Sequence, residues 1–384
     1  MRRFIIEQSD ADFTSHSGLA LVGMALNRHS GLATAVDEQV ALRHGIAHSD
    51  VLRSYIGLLC LGKSDFEAIE NVRNDDFFVE ALGVSTVSSA ATLRQRLDER
   101  ATAFLPLVEE ASVDFLLSVD VTPTVLDTGH VPLDADVTPF DNSNTRKEGV
   151  SRTYKGHDGY APMAAYLGRE GYCLEFELRE GKQHCQRDTP EFLTRVLERA
   201  RRVTDEPVLL RLDCGNDALE NIDVVLEHNE SDAVGVDFLI KWNPRKEDPY
   251  EWLDYAEKHA RFSHPRPGKR VAVFNYQVTR YRNGYEYQLR RVMRVIERTI
   301  DKEGSGAAGA RDRDRGHSGR ASPLRQRRSS RSMPTTGRRS SFIASSRPNS
   351  TSSACPRASS PPMRWCSPAP LWPTTSCAGS ARRG

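Results

Sequence analysis

The sequence predicts an α/β protein: a mixed sheet preceded by a helical N-terminal domain, carrying a β insertion and followed by a disordered C-terminal tail. Three observations carry this. Residues 1–117 repeat apolar side chains every three or four positions, residues 118–303 alternate short extended runs with two helical stretches, and beyond residue 303 neither period survives.

The N-terminal domain is read from "SGLALVGMALNR", "SDVLRSYIGLLCLG", "SDFEAIENVR" and "SSAATLRQRLDERATAFLPLVEEA". Ser49, Ser64 and Ser88 or Ser89 are the expected N-caps, because a hydroxyl can accept from the unpaired amides of a first turn. Short helices with polar turns make a small bundle of helix-turn-helix character. Such a bundle either packs on the domain after it or touches DNA. Arg94 and Arg96, on its last helix, are the candidate contacts.

From residue 118 the runs become strands: "HVPLDADVTPF", "YAPMAAYLG" and "YCLEFELRE". "TPEFLTRVLERARRV" then reads as a helix, with Thr189 as cap and Pro190 in the first turn. "PVLLRLD" is an unbroken apolar run, as in a strand buried on both faces. "GNDALENIDVVLEHN" is a second helix and "VGVDFLIKW" a further strand. Three strands, helix, strand, helix, strand is the order of an RNase H-like sheet. The β insertion, about residues 265–295, is read from "RVAVFNYQVTRYRNGYEYQLRRVMRVI", where Asn283-Gly284 between alternating runs predicts a hairpin.

Residues 304–384 are rich in Ser, Arg, Pro, Ala and Gly, and bury too little apolar area to offset the entropy of ordering, so the expectation is disorder. They also hide a charge asymmetry. After residue 310 there are fifteen arginines, no lysine and two acids, Asp312 and Asp314, so that stretch carries +13 against −12 for the rest, within a net +1. Basic disordered chain binds nucleic-acid phosphates through counterion release whether or not it has a function. No run of about 18 apolar residues occurs, so no membrane span is expected. "MRRFIIEQSDADF" lacks the apolar core of a signal peptide. Seven cysteines without a C-x-x-C pair read as reduced cytosolic thiols, and the His184-Cys185 neighbours read as chance.

The chemistry concentrates in "LDADVTPFDNSNT", where Asp134 and Asp136 alternate with apolar positions of a strand. One reading is a solvated sheet edge, with Asp136, Asp141 and Asp213 serving caps and turns. The other is a metal site. Asp136 lies in the first strand and Asp213 ends "VLLRLD"; on neighbouring strands both carboxylates reach one spot, and hard oxygen donors suit Mg²⁺ or Mn²⁺. A metal-free hydrolase with paired carboxylates, such as a glycosidase, is a further alternative. Arg146, Lys147, Arg152 and Lys155 follow the first strand, either as a solvated loop or as phosphate contacts beside the metals.

The stretch from "LDADVTPFDNSNTRKEGVSRTYKGHDGYAPMAAYLG" through "LLRLDCGNDALENIDVV" to "VDFLIKWN" resembles bacterial insertion-sequence transposases of the DDE type, over about residues 3–303. The resemblance implies an RNase H-like catalytic core and cleavage and strand transfer at transposon ends. It makes Asp136 the first catalytic acid and Asp213 the second, with Asp134, Asp141 and Asp217 as second choices. It also implies Mg²⁺ or Mn²⁺ as cofactor, and double-stranded DNA, both transposon ends and target, as partner. Self-association is expected, with a bacterial cytoplasmic location at the nucleoid. Residues 1–117 would help to hold the transposon ends. The departure is equally specific. The family's third acid is a glutamate on a helix after the β insertion, in a run like YxDHGTSEQFHSE, and this chain has none; Glu286 and Glu297 do not fit that pattern. A one-nucleotide shift lets "SMPTTGRRSSFIASS" spell the run, with the missing glutamate straddling Arg339 and Ser340. A frameshift between about Gly304 and Ala310 is therefore expected, leaving an out-of-frame tail on a truncated, inactive transposase. The alternative is a DNA-binding or inhibitory remnant without catalysis.

Overall fold

A computed structural model describes residues 14–244 and 247–300 and the backbone of residues 316–322. The chain divides after Val121 into two compact units.

The first unit is helical: α1 (Leu19–His29), α2 (Leu32–Gln39), α3 (His48–Cys60), a 3-10 turn (Phe66–Asn71), α4 (Asp76–Leu82) and α5 (Ala90–Ser118). Leu19, Val51, Leu58, Ile69, Phe78, Leu82 and Leu93 form its main core, and Leu32, Val36, Leu52 and Phe104 a second cluster. Ser89 caps α5 as expected, accepting from the Thr92 amide. Ser49 and Ser64 are not caps. α3 starts one residue earlier, and both the amide and the hydroxyl of Ser49 donate to the Asp37 carboxylate, a stronger acceptor than a helix can offer. The stretch after Ser64 closes only as a 3-10 turn, with Asp65 in the cap position.

The second unit is built on β1 (Val131–Val137), β2 (Phe140–Asp141), β3 (Ser151–Arg152), β4 (Asp158–Tyr160), β5 (Met163–Leu167), β6 (Tyr172–Glu177), α6 (Thr189–Val203), β7 (Val208–Leu212), α7 (Leu219–Ser231), β8 (Val236–Lys241), α8 (Pro249–His259), β9 (Phe262–Arg266), β10 (Lys269–Arg282), β11 (Tyr285–Arg298) and β12 (Gly316–Ser322). The main sheet runs β6-β5-β1-β7-β8-β12-β11-β10-β9, and β2, β4 and β3 form a separate small sheet. β1, β7 and β8 are parallel, while β5 is antiparallel to β1 and β6 to β5. This is the mixed α/β arrangement expected.

α6 is held to β6 by charge as well as packing. Buried Glu175 takes Arg195 and Arg199, and buried Arg179 bonds the Thr189 hydroxyl and the Asp188 carbonyl. Thr189 is thus not the cap. The cap position belongs to Asp188, in left-handed backbone at φ 59°, and the Thr189 hydroxyl donates to the Cys185 carbonyl; Pro190 does sit in the first turn. Asn283 and Gly284, at φ 50° and 78°, make the two-residue turn expected between β10 and β11.

Two features differ from expectation. α8 was not anticipated; Asp248 caps it and Pro249 opens it. And Gly316–Ser322, inside the stretch expected to be disordered, is a strand lying antiparallel between β11 and β8. A ladder needs only backbone amides and carbonyls, so a slot between two strands accepts a segment without apolar alternation. The proposed frameshift at Gly304–Ala310, and the rest of the tail, lie outside the described residues. Among the described residues no helix is long and apolar enough to cross a membrane.

Candidate active site

β1 lies between β5 and β7, so the carboxylates of "LDADVT" are not on a sheet edge. Leu133, Ala135 and Val137 point to the buried face, and Asp134 and Asp136 share the other. In the parallel β1–β7 ladder the last pair is Ala135 with Leu212. One residue further on each strand stand Asp136 and Asp213, at neighbouring positions where paired strands run about 4.8 Å apart. The two strands bring the two sequence-predicted acids together.

Local bonding orients both. Asp136 Oδ1 accepts from the Val137 amide at 2.8 Å. Asp213 Oδ1 accepts from the Gly215 amide at 3.0 Å and from Asn216 Nδ2 at 3.1 Å, in a short 3-10 turn that ends β7. Those bonds fall on Oδ1, leaving Oδ2 of each acid as the natural cation ligand. Loss of water around its carboxylate raises the Asp136 pKa first, and the Asp213 charge raises it further, while the Val137 amide and Lys155 oppose the shift. A divalent cation relieves this repulsion, and two hard carboxylates fit Mg²⁺ or Mn²⁺. They fit it incompletely: among the described residues no cluster of three or more His, Cys, Asp or Glu could hold a metal.

The second-choice acids have other work. Asp134 is gripped by Arg211 of β7 at both oxygens, at 2.5 Å for the Nε contact. Asp141 accepts from the amide and hydroxyl of Ser143, which lower its pKa. Asp217 is buried, paired with Arg280 at 2.6 Å, and accepts from the Asn243 amide. Glu297 is paired with Arg270, and Glu286 accepts from Gln288, so neither completes the pair. Sequence reading missed Arg211 and Asn216. The carboxylate-turn spacing in "LDCGND" signals the second, but only strand register reveals the first.

Of the candidate DNA contacts, Lys155 is close enough to act on Asp136, Arg152 pairs with Asp158 at 3.5 Å, and Arg146 and Lys147 are exposed between β2 and β3. In the helical unit Arg94 pairs with Glu67 on the surface and lies over the Phe66 ring. Arg96 is committed to structure, donating to the Ile46 carbonyl and bonded to His48 Nδ1 at 2.8 Å. None of the four described cysteines is joined in a disulfide. Cys185 Sγ donates to the Gly215 carbonyl, and burial, then Asp213, push its thiol upward, away from the nucleophilic thiolate.

Against known proteins, a family model described as transposase DDE domain group 1 matches residues 3–247. No curated protein matches. A solved structure, a cryo-EM synaptic complex of piggyBac transposase with hairpin DNA, aligns at 12% identity and a TM-score of 0.33, covering 79% of this chain. This chain spans 60% of the length of that one.

Proposed function

Because the chain belongs to the transposase DDE domain group 1 family, we propose that it derives from a bacterial insertion-sequence transposase, with Asp136 and Asp213 as two of its three catalytic acids. Divalent cations, when bound, would activate the nucleophile, water at the transposon end and then the freed 3′-hydroxyl in joining to target DNA, and would steady the departing 3′-oxygen in each case. The protein's part is to hold two carboxylates close against their own repulsion. The observation that supports this best is the placement of Asp136 and Asp213 side by side at the ends of two parallel strands.

Two carboxylates without a third hold a second cation poorly. The chain as written is therefore inactive in cleavage and strand transfer, and it acts on DNA only by binding. Thermal unfolding with Mg²⁺ or Mn²⁺ against chelator tests the site: wild type should melt higher with the cation, and Asp213→Asn should lose that gain. No cation effect in wild type would remove the metal site. A cleavage assay on DNA carrying the element's ends tests the second statement, which robust double-strand cutting would refute. The reading as a remnant that self-associates with an intact transposase and inhibits it is favoured by the lack of a third ligand beside the pair among the described residues. Mixing the chain with an active relative should then lower strand transfer.

A further inference from the structure

The β3–β4 turn is built to present two side chains at its tip over a buried threonine. The Thr153 amide and hydroxyl both donate to the His157 carbonyl, at 2.9 and 2.8 Å, and the Gly156 amide closes back on Thr153 at 3.0 Å. Gly156, at φ 85°, takes the left-handed backbone this reversal needs. Thr153 is buried beneath it. At the tip Tyr154 is 68% exposed, and the Lys155 ammonium lies 6.0 Å from its ring centroid. The turn belongs to the small sheet that leaves the end of β1 just past Asp136 and returns to β5, whose Met163 pairs with Val137. A large aromatic face held out on a rigid turn beside a cation is the pattern of a nucleic-acid stacking platform.

We propose that the β3–β4 turn receives an unpaired DNA base next to the phosphate at the Asp136–Asp213 site, Tyr154 stacking on the base and Lys155 meeting the adjoining phosphate. This rests on the transposase reading and narrows it: DNA at the site is locally unpaired. Bases within a duplex have both faces covered by their neighbours, so a ring at a turn tip reaches a base face only where the pair has opened. Arg152, anchored by Asp158, and the exposed Arg146 and Lys147 extend the basic track along the preceding loop.

The test uses the full chain in chelator, where no cutting occurs, with a blunt duplex and the same duplex carrying a short unpaired end that contains 2-aminopurine. Wild type should bind the unpaired end more tightly and quench the probe. Tyr154→Ala should lose about tenfold on the unpaired end and little on the blunt duplex, and Tyr154→Phe should restore both affinity and quenching. Lys155→Ala should weaken both DNAs alike and reduce the salt slope by about one. Basic-tail binding is common to both DNAs and drops out of their ratio. Equal affinity of Tyr154→Ala and wild type for the unpaired end, with unchanged quenching, would overturn the proposal. Failure of the site itself is read separately, because cation-dependent melting should be intact in Tyr154→Ala.

Discussion

Asp136 is held in a state it does not favour. Loss of water around the carboxylate and the Asp213 charge raise its pKa above that of the unfolded chain, so the fold loses stability as pH rises through that pKa and the group ionises. Without cation, Asp136→Asn should therefore stabilise the chain near neutral pH, by less than about 1 kcal/mol after solvent screening. Differential scanning fluorimetry in chelator reads this, and a lower melting temperature would contradict it. His130 shows the opposite linkage. Its Nε2 bonds Asp237 at 2.9 Å, and that bond raises its pKa against the opposing effect of burial. The protonated pair stabilises fully below the unfolded value of about 6.5 and fades as pH rises through the folded one. Asp237→Asn should cost on the order of 1 kcal/mol more at about pH 5.5 than at about pH 8.5 by urea unfolding; an equal loss at both would show that the histidine is not the titrating partner. At this scale strand position alone left caps and turns as an equal reading of Asp136 and Asp213, and the resemblance to a family of transposases singled them out. Arg211 was not, because its partner Asp134 lies 77 positions away and only ladder register brings them together.

Elements were legible where their own residues dictate them. Asn283-Gly284 forms its turn because both positions take positive φ, which few residue pairs tolerate. α8 carried a signal in Asp248-Pro249, but it buries only Leu253 and Ala256 deeply, and its other packing is aromatic, with Trp252 edge-on to Tyr276 at 5.0 Å. That leaves half an apolar stripe for a period-based reading to find. The small sheet escaped because its strands are two or three residues long. Its weak point is Gly159 in β4, where an added Cβ would lie 1.7 Å from the Phe140 carbonyl oxygen of β2. Gly159→Ala must therefore part β2 from β4, at about 1–3 kcal/mol. Since the same sheet carries Tyr154 and Lys155, this variant should also lose preference for unpaired DNA ends. Unchanged melting together with unchanged DNA preference would mean the small sheet is looser than its close approach implies.

Across the whole molecule the expectation that the family's third acid is missing rests on resemblance alone, because no local pattern announces an absent residue. The tail matters physically in a way its composition did not suggest. β12 pairs with β11 over seven positions and with β8 over two, so it supplies the partner for two strands that would otherwise present open edges. Unpaired edges in a sheet invite pairing between molecules. The tail also carries the positive charge that offsets the acidic remainder. These two roles separate by length. A chain ending after residue 303 should lose β12, expose β8 and β11, and aggregate in light scattering. A chain ending after residue 325 should keep the strand and remain monodisperse, yet shed most of the salt-sensitive affinity for random duplex DNA, because ten of the fifteen tail arginines would be gone. Monodisperse behaviour of the shorter chain would show that β12 does not close the sheet. Undiminished salt-dependent binding by the longer one would move the basic DNA contact into the body, toward the Arg146–Lys155 loop beside Asp136.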